Sequence, residues 1–248
     1  MDLGLTVGDE LERIDAADPR YDFLELSIGD GFLPPESIDR DRLETALDGR
    51  ELYVHLPFDQ PVVTHVPELN EAIREYQTRL LSWAGDVGAR KAVLHGTTAD
   101  RDDVDLRDGF TEQLAGIVTA GDRTGVEVVV ENVGHQHHGV QLSVLGEAAR
   151  EVGASVCFDV GHAYMEAGND GIERFLRSHG DRITHLHVHD ARRRGDTHIP
   201  VGAGEVDYDV LSQQLSGFDG SVAVEVFTDD AALLWDSGGR VCDLLNPG

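Results

Sequence analysis

Residues 155–162 read Ser155-Val-Cys-Phe-Asp-Val-Gly-His162, a short apolar run that ends on a carboxylate, with a histidine three residues beyond it. A run of four to eight apolar residues bounded by polar or glycine positions suits a strand buried on both faces. Such strands belong to parallel sheets covered by helices. Outward from this segment the pattern repeats, with strand candidates at 3–7, 23–28, 52–56, 92–95, 126–131, 155–159, 185–189 and 222–227. Eight is the number that closes a parallel barrel.

Helical periodicity fills the gaps between them. Leu69, Ile73, Tyr76, Leu80, Leu81 and Trp83 form a 3.6-residue stripe within 67–87, and Phe110, Leu114, Ile117 and Val118 do so within 106–124. Further helices are expected at 144–152, 172–178, 208–215 and 231–245. Another, after Pro34-Pro35, runs through Leu43 and Leu47, and the shortest lies at 9–17 before Pro19. No low-complexity linker divides the chain, so the expectation is one α/β domain over residues 1–248, a single (β/α)8 TIM barrel. The rival, an open doubly wound sheet, would place a glycine-rich phosphate loop after the first strand, and no GxGxxG follows it.

Composition narrows the class. The 248 residues carry 47 acidic and 20 basic side chains, a formal charge of −27, and Lys91 is the only lysine. Such acidity keeps a protein soluble in concentrated salt, where molar ionic strength shrinks the Debye length to about 3 Å. A salt-adapted protein is therefore expected, rather than an acidic partner for a basic ligand. No apolar stretch approaches the roughly 18 residues needed to span a bilayer. The first residues show no basic and apolar leader, so a cytoplasmic location is expected. Cys157 and Cys242 make neither a disulfide framework nor a CxxC motif.

Six strand candidates end in, or run into, a side chain able to ligate a metal: His55, His95, Glu131, Asp159, His187 and Glu225. In a (β/α)8 barrel the carboxyl ends of the strands meet at the active site. His162 follows Asp159 by one turn, and Asp196 and His198 fall in the loop after the seventh strand. One such histidine could be structural, but nine donors converging on one face need a common cause. Clustered carboxylates repel and take up protons unless cations neutralise them. A mixed His/Asp/Glu set suits zinc, manganese or cobalt better than calcium.

These residues resemble the xylose isomerase-like TIM barrels, the superfamily of sugar phosphate isomerases and epimerases and of endonuclease IV (AP endonuclease family 2); the charge would make this a haloarchaeal-type member. The segment from Val156 to Tyr164, with Ala167-Gly168 after it, is similar to one endonuclease IV signature. His187-Val-His-Asp190, with Asp196-Thr-His198-Ile-Pro-Val-Gly202-Ala-Gly204, is similar to another. The resemblance implies a three-metal cluster on His55, His95, Glu131, Asp159, His162, His187, Asp196, His198 and Glu225. In the single-metal epimerases it implies one ion on Glu131, Asp159, His187 and Glu225, with His162 touching substrate. Glu131 and Glu225 would then remove and return a proton beside a metal-polarised carbonyl.

The chain departs from the nuclease pattern at His55-Leu-Pro-Phe58, where a tyrosine and a following asparagine are missing, and it lacks a basic stripe for DNA. It departs from the sugar enzymes at His198, near where an arginine is common. Arg192-Arg193-Arg194 either clasps the phosphate of an anionic substrate or forms a solvated loop. His135-Gln-His-His138 either lines the mouth or is plain surface. The expected function is a divalent-metal-dependent isomerase or epimerase of a small carbohydrate, phosphorylated or not, bound through His162, His198, Arg192 and Arg193. The alternatives are a three-zinc phosphodiesterase acting on DNA, and a barrel that has lost catalysis and binds ligand with its metal.

Overall fold

A computed structural model describes residues 1–135, 138–193 and 195–245. Eight parallel strands close a barrel: β1 (Asp2–Gly8), β2 (Phe23–Ser27), β3 (Glu51–His55), β4 (Lys91–His95), β5 (Glu127–Glu131), β6 (Ser155–Asp159), β7 (Ile183–Val188) and β10 (Ser221–Val224). They lie in sequence order around the ring, and β10 pairs with β1 to seal it. Closure excludes the open doubly wound sheet.

The helices are α1 (Leu11–Ala16), α2 (Arg40–Leu47), α3 (Pro67–Asp86), α4 (Leu106–Thr124), α5 (Leu142–Val152), α6 (Val160–His179), α7 (Tyr208–Gln214) and α8 (Ala231–Leu245). Their apolar stripes cover the outside of the barrel: Phe110, Leu114 and Ile117 of α4 are fully buried, as are Val54, Leu94 and Val130 of the strands. Inside, side chains fill the barrel in layers. Phe23, Tyr53 and Ala223 form a floor, and Val93, Val129 and Cys157 a layer of their own. No described helix is long and apolar enough to cross a membrane.

Two elements correct the expectations and bear on the site. The helix expected at 172–178 begins at Val160, directly after β6, and runs through a kink at Gly168 (φ 67°, ψ −178°). At Gly161 a Cβ would lie 2.1 Å from the His189 ring, so only glycine lets α6 start this close to β7. The expected loop carrying Asp196 and His198 is an antiparallel hairpin of β8 (Asp190–Arg192) and β9 (Gly195–Ile199). Asp190 anchors it by accepting hydrogen bonds from the backbone N–H groups of Ala191, Gly202 and Val206. A Cβ at Gly204 would sit 2.1 Å from the Asp190 carboxylate, which explains the Gly202-Ala-Gly204 run.

Candidate metal centre

At the carboxyl ends of the strands seven of the nine expected donors line a cavity of about 570 Å³, and Asp159 and His187 lie within ligand distance of them. Their ligand atoms fall into three groups, each within 4.8 Å: His55, His95 and Glu131; Glu131, Asp159, His187 and Glu225; and His162, Asp196 and His198 together with His189; a fourth joins His187 to His185 and Cys157. Glu131 belongs to two of them. Strand geometry explains most of the convergence: His55, His95, Glu131 and Asp159 end their strands, and His187 is one residue short of the end of β7. Glu225 follows β10, Asp196 and His198 come from the β8–β9 hairpin, and His162 is lowered into place by the first turn of α6. Asp159 caps that turn, its Oδ1 accepting from the His162 backbone N–H at 2.6 Å. The Asn132 amide ties β5 to β6, accepting from the Asp159 N–H and donating to its carbonyl.

The ring nitrogens say what the site is built to hold. His55 Nδ1 lies 2.8 Å from the Leu56 carbonyl, and His198 Nδ1 lies 2.8 Å from the Glu225 carbonyl. A carbonyl only accepts, so both nitrogens carry hydrogen. The opposite nitrogens then point at carboxylates: His55 Nε2 at Glu131 Oε2 (3.3 Å) and His198 Nε2 at Asp196 Oδ1 (3.0 Å). His187 repeats the arrangement, with Nδ1 3.2 Å from Glu131 Oε1 and 3.1 Å from Glu225 Oε2. In a neutral ring, a lone pair aimed at a carboxylate oxygen is repulsive; a cation or a proton between them makes it favourable. Fixing one ring nitrogen by an outer acceptor is how proteins aim histidines at metals. Asp159 Oδ2 is also buried without a hydrogen-bond partner, as is His95 Nδ1.

Electrostatics agree. Burial draws the His198 ring down, but the Glu225 charge and the Asp196 contact carry it up to about 9. His162 and His187 rise well above the ordinary histidine value against the pull of burial, His162 through Asp159, Asp196 and Glu131, and His187 through Cys157 and then Glu25, Glu225 and Glu131. Burial lifts Glu225, yet the His187 and His198 charges hold it at about 2, and Glu131 falls well below the usual range for similar reasons. The centre seeks positive charge. The donors therefore fit divalent ions, with imidazole and carboxylate ligands in sets of three and four.

The cavity wall is less polar than its base. Phe32 and Phe58 meet edge to face at 4.8 Å, and Phe227 stacks on His198 at 4.1 Å while 70% exposed. Phe58 puts a ring where the resemblance led one to look for a tyrosine hydroxyl. Arg13 is the only arginine among the described lining residues. Arg192 and Arg193, expected to bind substrate, do not line the cavity. Arg192 donates to the Ala203 carbonyl, and Arg193 lies 5.8 Å from the Tyr164 ring, because the β8–β9 hairpin turns this stretch toward α6. Arg194, Gln136 and His137 lie outside the described residues. His138 borders a separate depression beside Asp59 and Thr97. A larger groove of about 970 Å³ between α3 and α4 gathers no comparable donors.

Sequence reasoning named His187 but passed over three other inward-facing residues, His185, His189 and Glu25. His185, His187 and His189 alternate along one strand and its exit, so all three point into the barrel; His189 Nε2 reaches Asp159 Oδ1 at 3.1 Å. Glu25 interrupts the apolar run of β2 and is fully buried. A carboxylate in the middle of such a strand was itself the signal.

The chain belongs to the family described as xylose isomerase-like TIM barrel (AP endonuclease 2), whose model matches residues 14–243. It is 27% identical over 203 residues to a probable endonuclease 4 of Mycobacterium ulcerans, covering 74% of this chain and 77% of that protein. Among solved structures it is similar to a D-tagatose 3-epimerase-like protein (TM-score 0.78, 20% identity, 99% of this chain and 98% of that one). It is also similar to the IOLI protein solved with a zinc atom (TM-score 0.75, 16% identity, 99% and 98%).

Proposed function

We propose that the protein is a metal-dependent isomerase or epimerase of a small carbohydrate, holding one to three divalent ions of zinc, manganese or cobalt. One observation carries this reading: Glu131 and Glu225 line the same cavity from β5 and from the end of β10, with Asp159 and His187 between them in strand order. A volume of about 570 Å³ suits a sugar or sugar phosphate, and three phenylalanines offer apolar surface to the C–H face of such a ring. A bound ion would polarise the substrate carbonyl and acidify the neighbouring C–H. Glu131, Asp159, His187 and Glu225 would hold that ion. Both carboxylates are ionised in the resting site, so Glu225 would accept the proton from one face of the sugar and Glu131, having first taken up a proton from solvent, would deliver it to the other face. His162 and His198 line the cavity and would stand beside substrate oxygens. Arg13, rather than Arg192 or Arg193, is placed to meet an anionic group.

A second reading is favoured by the third donor group. His162, Asp196 and His198 offer a further cation site that carbonyl chemistry does not require, and multi-metal clusters suit phosphodiester hydrolysis. Against it, DNA would meet a single lining arginine and no basic stripe. The separating experiment incubates metal-loaded protein in molar-salt 2H2O with a panel of ketoses and their phosphates. Deuterium entering the carbon beside the carbonyl is the result expected. Cleavage of an abasic-site duplex without any such exchange would replace the isomerase reading with the phosphodiesterase.

A further inference from the structure

Beneath the metal centre, one layer deeper in the barrel, a carboxylate that no sequence motif marks holds two histidines. We infer that Glu25 is a positioning residue for His187, fixing which ring nitrogen faces the cavity and thereby setting the affinity of the site for its divalent ion. The inference rests on the metal-centre reading above and extends it to a residue that touches neither ion nor substrate.

The geometry is specific. Glu25 Oε1 lies 3.1 Å from His187 Nε2, and Oε2 lies 3.1 Å from His185 Nε2. Thr6 Oγ1 donates to Oε1 at 3.3 Å. All of Glu25, His185 and His187 are fully buried, so no solvent competes for these bonds. His185 Nε2 meets Glu25 in hydrogen-bond geometry, whereas His187 Nε2 makes a close charge contact without it; because an ionised carboxylate only accepts, hydrogen on that nitrogen is favoured. With an ion bound and the ring neutral, the lone pair would sit on His187 Nδ1, between Glu131 Oε1 and Glu225 Oε2. His185 has its own outer anchor, with Nδ1 2.8 Å from Ser221 Oγ, and stays out of the centre.

Glu25 also needs its ion. If an ion displaced the proton from His187, Glu25 would face only neutral rings and a hydroxyl, a poor compensation for a fully buried carboxylate. Through the His187 ring it is linked to the positive charge of the centre, the carboxylate–histidine–metal relay in which the outer carboxylate orients the ring and raises its basicity. Replacing the carboxylate by an amide keeps the volume and removes the charge, and it offers a donor to one of the two rings. His187 would then be free to turn over or to change tautomer.

The test is Glu25→Gln beside wild type and His185→Gln, each stripped of metal in high salt and titrated with zinc(II) alone against a chromophoric chelator. Glu25→Gln is expected to bind zinc roughly 10–100-fold more weakly, while circular dichroism and the melting temperature of the metal-free form stay close to wild type. His185→Gln, which removes the other Glu25 contact, keeps near wild-type affinity. Long-range 1H–15N correlation on zinc-loaded wild type gives a readout that needs no variant to fold: His187 should show hydrogen on Nε2 and metal on Nδ1. A folded Glu25→Gln with wild-type affinity, or hydrogen on His187 Nδ1, overturns the role of Glu25 while leaving the metal centre intact. Wild type that binds no zinc overturns both.

Discussion

The two ends of the barrel interior bury ionisable groups in opposite ways. At the floor, Lys91 donates to the Thr184 carbonyl at 2.7 Å and faces Glu127 Oε2 at 3.4 Å, while Thr184 Oγ1 donates to Glu127 Oε1. Phe23 and Tyr53, stacked at 4.0 Å, close the space above. Charge and hydrogen bonds balance there without any added group, and the chain's only lysine is used to do it. At the mouth, four carboxylates (Glu131, Asp159, Asp196 and Glu225) face histidine nitrogens that carbonyls or Glu25 have already oriented toward them. That end is balanced only when positive charge is added. Burial alone therefore does not mark a functional site; a buried cluster that is incomplete in charge does.

The comparison can be broken most forcefully at Glu131, which two donor groups share. Glu131→Gln should lower kcat by roughly 10²–10⁴-fold and reduce metal content, and a fully active variant would remove Glu131 from the chemistry. Chelation comes next. If the ions bind only the folded chain, stripping them at a thousandfold excess over Kd costs about 4 kcal/mol, or roughly 8–16 °C in melting temperature for a domain of this size. A chelator that leaves the melting curve in place would argue that the mouth is charge-complete after all.

The floor should respond in the other currency. Lys91→Met is expected to destabilise by about 1–3 kcal/mol, since the Thr184 carbonyl and Glu127 lose a buried donor, with metal content and kcat unchanged. Loss of metal in this variant would mean that the two ends are coupled. The smallest effect belongs to Arg192→Gln and Arg193→Gln. Turned away from the cavity, they should leave KM for a phosphorylated substrate within about twofold of wild type; a large rise in KM would restore them to the substrate site.

The parts legible in the sequence share a physical reason. Strands buried on both faces appear as short Val, Ile and Leu runs, so all eight were readable to within a few residues, and the carboxyl-end rule then brought nine donors together. What was not legible depended on tertiary contact. The start of α6 contains Gly161, and its middle holds Gly168, Asn169 and Gly171, all poor helix formers, so local propensity hid a helix that packing against His189 and Arg193 requires. The β8–β9 hairpin has a polar strand and is held by Asp190, whose anchoring bonds to Gly202 and Val206 come from residues well beyond it in sequence. Arg192 and Arg193 were misplaced because the hairpin, not their charge, sets their direction. Glu25 and His185 escaped notice because their role depends on which ring nitrogen a neighbour fixes.

The central claim is that the mouth of the barrel is a metal centre, and the most direct measurement is the number of divalent ions per chain. Protein purified in high salt, then stripped and reloaded with zinc or manganese, should hold at least one ion per chain after extensive dialysis, measured by inductively coupled plasma mass spectrometry. A folded chain that retains none would contradict it.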